Sequence, residues 1–273
     1  MSVLNPVRSG DFVEFDREEC IAVGESLNTK YVSAKPFPHI VIDDCLPIDA
    51  LRRVVDEFPE RQPGLFTDAR SNRKTGYQLE MIRSPYITSF FHALNSAQFL
   101  QFLEKLTGID DLLSDPYYAG GGLHETARGG HLSIHADFNV HPRFRLLRRL
   151  NLILFLNEDW DDDFGGHLEI WNRDMGSCAE RIAPIMGRAV IFNTDRESFH
   201  GHPDPLSCPD SRHRRSMALY YYTIPSDPDS VLPRTTDFKV RPGTTDARDR
   251  GTRMRELARG LCPPLLLSMF RRK

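Results

Sequence analysis

The chain has 273 residues, a formal net charge of −3 and a hydrophobic content of 40%, so it can bury a sizeable core as one large domain or two small ones. The slightly acidic balance gives no indication of general nucleic-acid binding. No apolar run approaches the ~20 residues that a membrane-spanning helix needs.

The cysteines and the N-terminus bear on the cellular compartment of the protein. The five cysteines are scattered and odd in number, which argues against a disulfide framework and for a reducing environment. The first eight residues lack the apolar segment of a signal peptide. A cytoplasmic protein is therefore the simplest interpretation.

The N-terminal part predicts one strand and two helices. The strand is expected over 37–42. Residues 51–58 carry apolar side chains at positions i, i+3, i+4 and i+7, which is typical of an amphipathic helix. The same pattern recurs over 99–106, with Ser96 as the N-cap and Gly108 as the stop. The aromatic residues of these helices are expected to belong to a core.

Residues 60–80, between the two helices, are polar and are predicted to form a loop. This loop could be a lid over a pocket or a solvated surface segment. From Tyr117 onward the pattern changes to short strands and turns.

Residues 150–157 predict a central strand, because both of its faces are largely apolar. We expect the leucine face, with Leu150, Leu152, Leu154 and Leu156, to pack on the helices. The opposite face, which carries Asn151, should then line a pocket.

The first chemical motif is an H-x-D. His135 and Asp137 are two residues apart, and such residues point to the same face of a β-strand. They could hold two adjacent positions on a metal ion, with His200 as the third ligand. Two histidines and one carboxylate are the ligand set of non-haem Fe(II) oxygenases, and this set leaves positions open. His202 shares a face with His200 in an extended chain and competes for the third position.

A second motif accompanies the triad. Isolated histidines, such as His92 and His124, are interpreted as structural. Arg214 and Ser216, however, would share one face of a strand that follows His200. A guanidinium and a hydroxyl there could bind a carboxylate through charge-assisted hydrogen bonds. A metal triad and a carboxylate clamp are the minimum that a 2-oxoglutarate-dependent oxygenase needs.

In these features the chain resembles the prolyl-4-hydroxylase-like branch of the Fe(II)/2-oxoglutarate oxygenases. The order and spacing of the motifs agree over roughly residues 113–225, and a weaker likeness extends back to 37–44. The motifs are the H-x-D at 135–137, the segment 148–160, Gly165-Gly166-His167-Leu168-Glu169-Ile170-Trp171, Phe199-His200-Gly201-His202-Pro203, and Arg214-x-Ser216. The family places its third ligand before a Gly-x-Pro turn, which favours His200 over His202.

The resemblance implies a mainly β (α+β) fold, a double-stranded β-helix of the jelly-roll type with N-terminal helices on its major sheet. We expect one structural unit in three parts. A strand and supporting helices occupy 1–112, the catalytic core occupies 113–225, and a wrapping segment with a basic helix occupies 226–273.

The resemblance also implies the cofactors and the reaction. These are Fe(II), 2-oxoglutarate as co-substrate and O2, with ascorbate as a candidate reductant. The expected reaction hydroxylates an unactivated C–H bond and releases succinate and CO2, although desaturation or cyclisation would use the same equipment. The implied metal ligands and catalytic residues are His135, Asp137 and His200.

The expected 2-oxoglutarate contacts are Arg214, Ser216, Asn151 and Leu168. In relatives the pocket face of the central strand carries hydroxyl residues, but here Asn151 and Phe155 stand at those positions. Of these two, only Asn151 can donate a hydrogen bond.

Two other classes remain open. A cupin-type metalloenzyme, such as an isomerase that uses Zn or Mn, would explain the triad and leave Arg214-x-Ser216 unexplained. A sugar- or partner-binding jelly roll without catalysis would explain neither motif.

The C-terminal part shows two different patterns. Residues 225–250 are rich in Pro, Asp, Thr and Arg and are predicted to wrap the barrel irregularly. Residues 249–273 carry seven basic and two acidic side chains, and Pro263-Pro264 interrupts them. We expect a helix packed on the parent domain, or else a membrane-surface or partner helix.

The substrate is expected to be a small molecule or a peptide, and an anionic one is favoured. Residues 139–149 follow the metal ligands directly and contain Arg143, Arg145, Arg148 and Arg149. Arginine is suited to carboxylates and phosphates, although a charge run can equally be a solvated face. Peptidyl proline is the alternative that the family resemblance suggests. The sequence does not indicate an oligomeric state.

Overall fold

The computed structural model describes residues 2–61, 67–68, 71–227 and 231–246. In these ranges the helices are α1 (Arg17–Ser33), α2 (Ile48–Asp56), α3 (Pro85–Leu94) and α4 (Ala97–Thr107). The strands are β1 (Val7–Ser9), β2 (Phe12–Glu14), β3 (His39–Ile42), β4 (Thr67–Asp68), β5 (Ser71–Tyr77), β6 (Leu113–Ser114), β7 (Gly122–Ala136), β8 (Leu147–Phe155), β9 (Leu168–Trp171), β10 (Cys178–Ile182), β11 (Ala189–Asn193), β12 (His200–His202), β13 (Arg214–Thr223) and β14 (Asp237–Phe238). None of the described helices combines the length and the apolar character that crossing a membrane requires.

The sheet has the predicted fold class. Strands β1 and β2 form a small separate sheet, and the others form one antiparallel sheet with the main order β10-β9-β12-β7-β13-β8-β11-β3. This sheet curls into a nearly closed barrel and carries the helices on one side, which confirms the double-stranded β-helix. Strand β7 is 15 residues long and pairs with β5, β12, β13 and β14.

The central strand is β8, between β11 and β13. Its leucine face belongs to the same core cluster as the aromatic residues of α3 and α4, as predicted. On the opposite face Asn151 and Ile153 border a pocket, and Phe155 lies in a second cluster inside the barrel with Phe37 and Val190.

Local capping explains the predicted helix boundaries. The Ser96 side chain accepts a hydrogen bond from the Phe99 amide, and Gly108 ends α4 with φ +69°, so both predicted boundaries of α4 are confirmed. Helix α2 begins and ends slightly earlier than the predicted segment 51–58.

Helices α1 and α3 were not predicted. In α1 the buried residues are Cys20, Gly24 and Tyr31, so the stripe has few large apolar side chains to reveal it. A Cβ atom on Gly24 would lie 2.6 Å from the Phe102 carbonyl oxygen, so the lack of a side chain allows α1 and α4 to pack closely.

The predicted loop over 60–80 is wrong for residues 71–77. These residues form β5, which pairs along β7 from Ser71↔Leu132 to Tyr77↔Leu123. The strand reads as polar because Ser71 and Lys74 face an internal cavity that also contains Arg214 and Asp137. Residues 62–66 and 69–70, which bear on the predicted lid, lie outside the described residues.

The segment after β13 contacts the core. Residues 231–246 are irregular apart from β14, in which Phe238 pairs with His135 of β7. The predicted basic helix over 249–273 lies outside the described residues.

Candidate active site

The H-x-D motif and His200 converge where β7 and β12 pair. His135 is directly opposite His200 in the ladder, and their ring centroids are 4.5 Å apart. His135, Asp137 and His200 are buried, and one ligand atom from each lies within 4.8 Å of the others. His202, the competing candidate, is not part of this cluster.

Backbone contacts orient both imidazoles. Nδ1 of His135 lies 2.9 Å from the Ser133 carbonyl oxygen, and Nδ1 of His200 lies 2.9 Å from that of Ser198. Since an Nδ1–H donates to each carbonyl, the lone pair of each Nε2 faces the carboxylate of Asp137. The Nε2 atoms lie 3.4 Å and 3.5 Å from the Asp137 oxygens.

The protonation states suit a divalent cation. Burial lowers the pKa of His200 to about 4, helped by His135 and opposed by Asp137. Burial opposes ionisation of Asp137, but Arg148, His200 and His135 outweigh it and hold the pKa of that carboxyl well below its usual range. Two imidazole nitrogens and one carboxylate match the donor set that Fe(II) prefers in open sites.

Asp137 is held by two side chains of β8 that the sequence interpretation did not assign to it. Nη2 of Arg148 donates to Asp137 Oδ2 at 3.0 Å, and Nδ2 of Asn151 donates to the same oxygen at 2.7 Å. Arg148 also donates from Nε to Asn151 Oδ1 at 3.0 Å, which fixes the amide. Its guanidinium carbon lies 3.4 Å from the Tyr220 ring centroid and 4.5 Å from that of Phe138.

This network changes what is expected of Asn151. The residue borders the pocket, but its amide donates to a proposed metal ligand and its carbonyl oxygen accepts from Arg148. A direct contact between Asn151 and 2-oxoglutarate stays a prediction, as does that of Leu168, which lines the same pocket.

Arg214 and Ser216 lie on one face of β13, as the sequence predicts, and both are buried. Nε of Arg214 donates to the Gly166 carbonyl oxygen at 2.6 Å, and its guanidinium carbon lies 4.9 Å from the Phe155 ring centroid. Burial lowers the pKa of Arg214 to about 9. The arrangement leaves the two Nη groups for an anion.

One cavity of about 280 Å³ joins the triad to Arg214 and Ser216. Lys74 of β5 and His124 of β7 also line it, although the sequence placed the first in a loop and interpreted the second as structural. The pairing of β5 with β7 brings them there, and a single sequence does not reveal that pairing.

A second cavity of about 580 Å³ adjoins the first and shares Gly120 and Phe138 with it. Its walls include two aromatic residues, Tyr117 and Phe138, and two prolines, and Arg143 and Arg234 contribute the cations.

Comparisons with known proteins agree with this site. Residues 121–222 match the model of the 2OG-Fe(II) oxygenase superfamily, a range that contains the triad, Arg214 and Ser216. No curated protein matches the chain significantly. Residues 121–222 are therefore similar to the 2OG-Fe(II) oxygenase superfamily, whose members use Fe(II), 2-oxoglutarate and O2.

Two solved structures have a similar fold. A prolyl-4-hydroxylase from Pseudomonas putida is similar over 73% of this chain and 98% of its own, with 17% identity and a TM-score of 0.50. A prolyl hydroxylase from Trichoplax adhaerens, solved with a hypoxia inducible factor peptide fragment, is similar over 75% of this chain and 91% of its own, with 13% identity and a TM-score of 0.52. At these identities the likeness concerns the fold, which is that of the prolyl-4-hydroxylase-like branch.

Proposed function

We propose that the protein is a hydroxylase in which His135, Asp137 and His200 hold Fe(II), and Arg214 with Ser216 binds the distal carboxylate of 2-oxoglutarate. The observation that carries this proposal is the convergence of three buried ligand atoms at one end of a cavity that has a buried guanidinium at its other end. Fe(II), 2-oxoglutarate and O2 together would supply the oxidising power to hydroxylate a C–H bond, with release of succinate and CO2.

The chain's own groups orient the reactants. The carbonyls of Ser133 and Ser198 hold the imidazoles, and Arg148 with Asn151 holds the carboxylate of Asp137. Apolar side chains on the cavity wall, including Ile153, Leu168 and Phe238, limit the access of water to the reacting centre.

The test is an anaerobic titration of the full chain. Fe(II) and 2-oxoglutarate added together should produce a visible charge-transfer band that neither gives alone. His135→Ala, Asp137→Ala and His200→Ala should each lose the band and succinate release. Full retention of both by His200→Ala would move the third ligand to His202, and no band in the wild type would contradict the proposal.

We propose further that the substrate is an amphipathic anion that binds in the second cavity. Its wall presents Tyr117, Phe138 and Val140, and its cations are Arg143 and Arg234. No carboxylate side chain lines it among the described residues. The guanidinium carbon of Arg143 lies 4.2 Å from the Tyr117 ring centroid, so an apolar surface and a cation are presented together.

Of the four arginines expected to recognise the substrate, only Arg143 lines this cavity. Arg148 holds Asp137, and Nη1 of Arg149 donates to the Thr223 hydroxyl at 3.2 Å. Arg145 is exposed. The second arginine of this cavity is Arg234, from the segment after β13. Its Nη2 donates to the Asp137 carbonyl oxygen at 2.8 Å, next to the triad.

The substrate proposal is tested by a succinate-release screen of free amino acids, proline peptides and phosphorylated metabolites. Arg143→Ala should raise the KM of the preferred anionic substrate, and Arg145→Ala, an exposed arginine outside the cavity wall, is the matched control. The substrate proposal would be refuted if the preferred substrate were uncharged. It would also be refuted if the KM were the same in Arg143→Ala as in the wild type and did not change with salt concentration. Turnover of a proline peptide would favour the alternative, for which a structural neighbour with a bound peptide fragment is the support.

A further inference from the structure

Three strands align two cations across the inner end of the active-site cavity. In the β5·β7 ladder Lys74 pairs with Thr126, and in the β7·β13 ladder Thr126 pairs with Arg214. The next row is Gly76, His124 and Ser216. Paired residues of antiparallel strands project from the same face, so Lys74 and Arg214 face the cavity from either side of β7.

The spacing lets both cations reach one group. Two strand intervals separate β5 from β13, which is roughly 10 Å between backbones. Lysine and arginine side chains are long enough to meet over the middle strand from that distance. Gly76 has no side chain that could block the approach above His124.

Lys74 lacks a partner where one is needed. Its side chain makes no hydrogen bond or ion pair with another described residue, and it lines the cavity in a half-buried position. Among the described residues, the one carboxylate that lines the cavity is Asp137, to which Arg148 already donates a hydrogen bond. A half-buried ammonium beside the buried guanidinium of Arg214 places two cations on one cavity, and an anion bound there would stabilise both.

The imidazole of His202 lies at the same end of the cavity as the two cations. His202 is buried, and neither of its ring nitrogens has a hydrogen-bond partner among the described residues. It faces Ser71 across Leu132 in a further row of the same strands.

We propose that Lys74 and Arg214 together bind the distal carboxylate of 2-oxoglutarate, as a two-cation clamp in which β5 supplies the second charge. This inference rests on the proposed function, since it assigns a further residue to the same co-substrate. Lys74 lies outside the range that matches the superfamily and outside the motifs that carry the sequence resemblance.

The experiment measures the Kd of 2-oxoglutarate by the charge-transfer band in the Fe(II)-loaded full chain under anaerobic conditions. Lys74→Met should raise this Kd at least about tenfold, because a buried carboxylate loses one of its charged partners. Lys74→Arg should restore most of the affinity. Arg73→Met, which alters an exposed neighbour in the same strand, should leave the Kd unchanged, and all variants should bind Fe(II) as the wild type does.

Two further readouts separate a clamp from a structural role. The Kd of 2-oxobutyrate, which lacks the distal carboxylate, should be the same in Lys74→Met and in the wild type. Lys74→Met and Arg214→Met should be non-additive in a double-mutant cycle, because they act on one carboxylate.

The experiment distinguishes failure of the clamp from failure of the proposed function. A normal wild-type band together with an unchanged 2-oxoglutarate Kd in Lys74→Met would overturn the clamp alone. An equal loss of affinity for 2-oxobutyrate would also overturn it, because Lys74 would then act through the fold. Absence of the band in the wild type would remove the proposed function and the clamp with it.

Discussion

At the scale of single residues, the most consequential contact is the one between Arg148 and Asp137. Arg148 is 2% exposed, and its guanidinium stacks on Tyr220 while it donates to the carboxylate. It is a positioning residue, because it acts on the metal through Asp137. Such outer partners of metal ligands typically contribute 10–100-fold to metal affinity or activity.

We therefore predict that Arg148→Met weakens Fe(II) binding by about 10–100-fold. Arg148→Lys should recover part of the loss, since it keeps the charge and loses the fork of donors. The measurement is the Fe(II) Kd in an anaerobic titration. Arg149→Met is the matched control, because Arg149 donates to Thr223 on the other face of β8. Unchanged iron affinity in Arg148→Met would contradict the positioning role.

The ammonium of Lys74 predicts a pH dependence. Burial, together with Arg214, lowers the pKa of Lys74 to about 8 against the opposing effect of Asp137. A carboxylate binds the protonated form, so 2-oxoglutarate affinity should be full below pH 8 and should fall as the pH rises through 8. The pKa values of His124, His202 and Asp137 are held well below their usual ranges, and that of His200 is lowered to about 4, so these neighbours do not titrate in that window. Burial lowers the pKa of Arg214 to about 9, so Arg214 begins to titrate at the upper end of the window in the wild type and in Lys74→Met alike.

The measurement is the 2-oxoglutarate Kd between pH 7 and 9. The wild type should weaken across this range, and Lys74→Met should lack the step near pH 8. A flat wild-type profile would show that Lys74 does not meet the co-substrate as an ammonium.

At the scale of elements, the alternation of β13 separates binding from stability. Arg214 faces the cavity, whereas Arg215 faces the other way and donates from Nε to the buried Glu125 at 3.0 Å. We predict that Arg214→Ala raises the 2-oxoglutarate Kd by about 10²–10³-fold, since loss of one partner of a buried ion pair costs roughly 3–5 kcal/mol. Arg215→Ala should leave the Kd unchanged and lower Tm, because Glu125 loses a charged donor. The reverse pattern would mean that the strand register is off by one residue.

The turn before β9 holds Arg214 in place. Gly166 has φ +75°, and a Cβ atom on it would lie 2.9 Å from Arg214 Cδ and 2.6 Å from Leu206 Cδ2. Gly166→Ala should therefore displace Arg214 and weaken 2-oxoglutarate binding as well as lower Tm. Gly165→Ala is the matched control: Gly165 has φ +71°, and its Cβ would meet nothing within 4 Å. It should lose stability through backbone strain and keep the affinity, and an equal affinity loss in both variants would refute the role of Gly166.

At the scale of the whole molecule, the ligands would join parts of the chain that are distant in sequence. Lys74 comes from β5, the H-x-D from the end of β7, His200 from β12 and Arg214 from β13. A ligand bound only to the folded state at 100 times its Kd adds about 2.7 kcal/mol of stability. We predict that Fe(II) and 2-oxoglutarate together raise Tm by roughly 5–10 °C under anaerobic conditions. Asp137→Ala should lose this shift, and a comparable rise in that variant would place the ligands elsewhere.

The sequence by itself determined those features that depend on local spacing. Alternation along a strand places His135 with Asp137, and Arg214 with Ser216, on common faces. The apolar character of both faces of β8 marked it as the central strand, and the caps at Ser96 and Gly108 marked α4. Each of these signals lies within a dozen residues, so no knowledge of the fold is needed to interpret it.

Only the tertiary structure decided which distant residues complete the site. Strand β5 looks like a loop in sequence, because Ser71 and Lys74 face an internal cavity with charged groups and the strand lacks the alternation of a half-buried strand. The pairing of β5 and β13 with β7 brings Lys74 across from Arg214, 140 positions later in the chain. In the sequence, Arg148 looks like one member of a solvent-exposed run of arginines. In the structure, its position in β8 directs its side chain towards Asp137. Strand pairing between distant segments depends on the packing of the whole core, and a single sequence records that packing only indirectly.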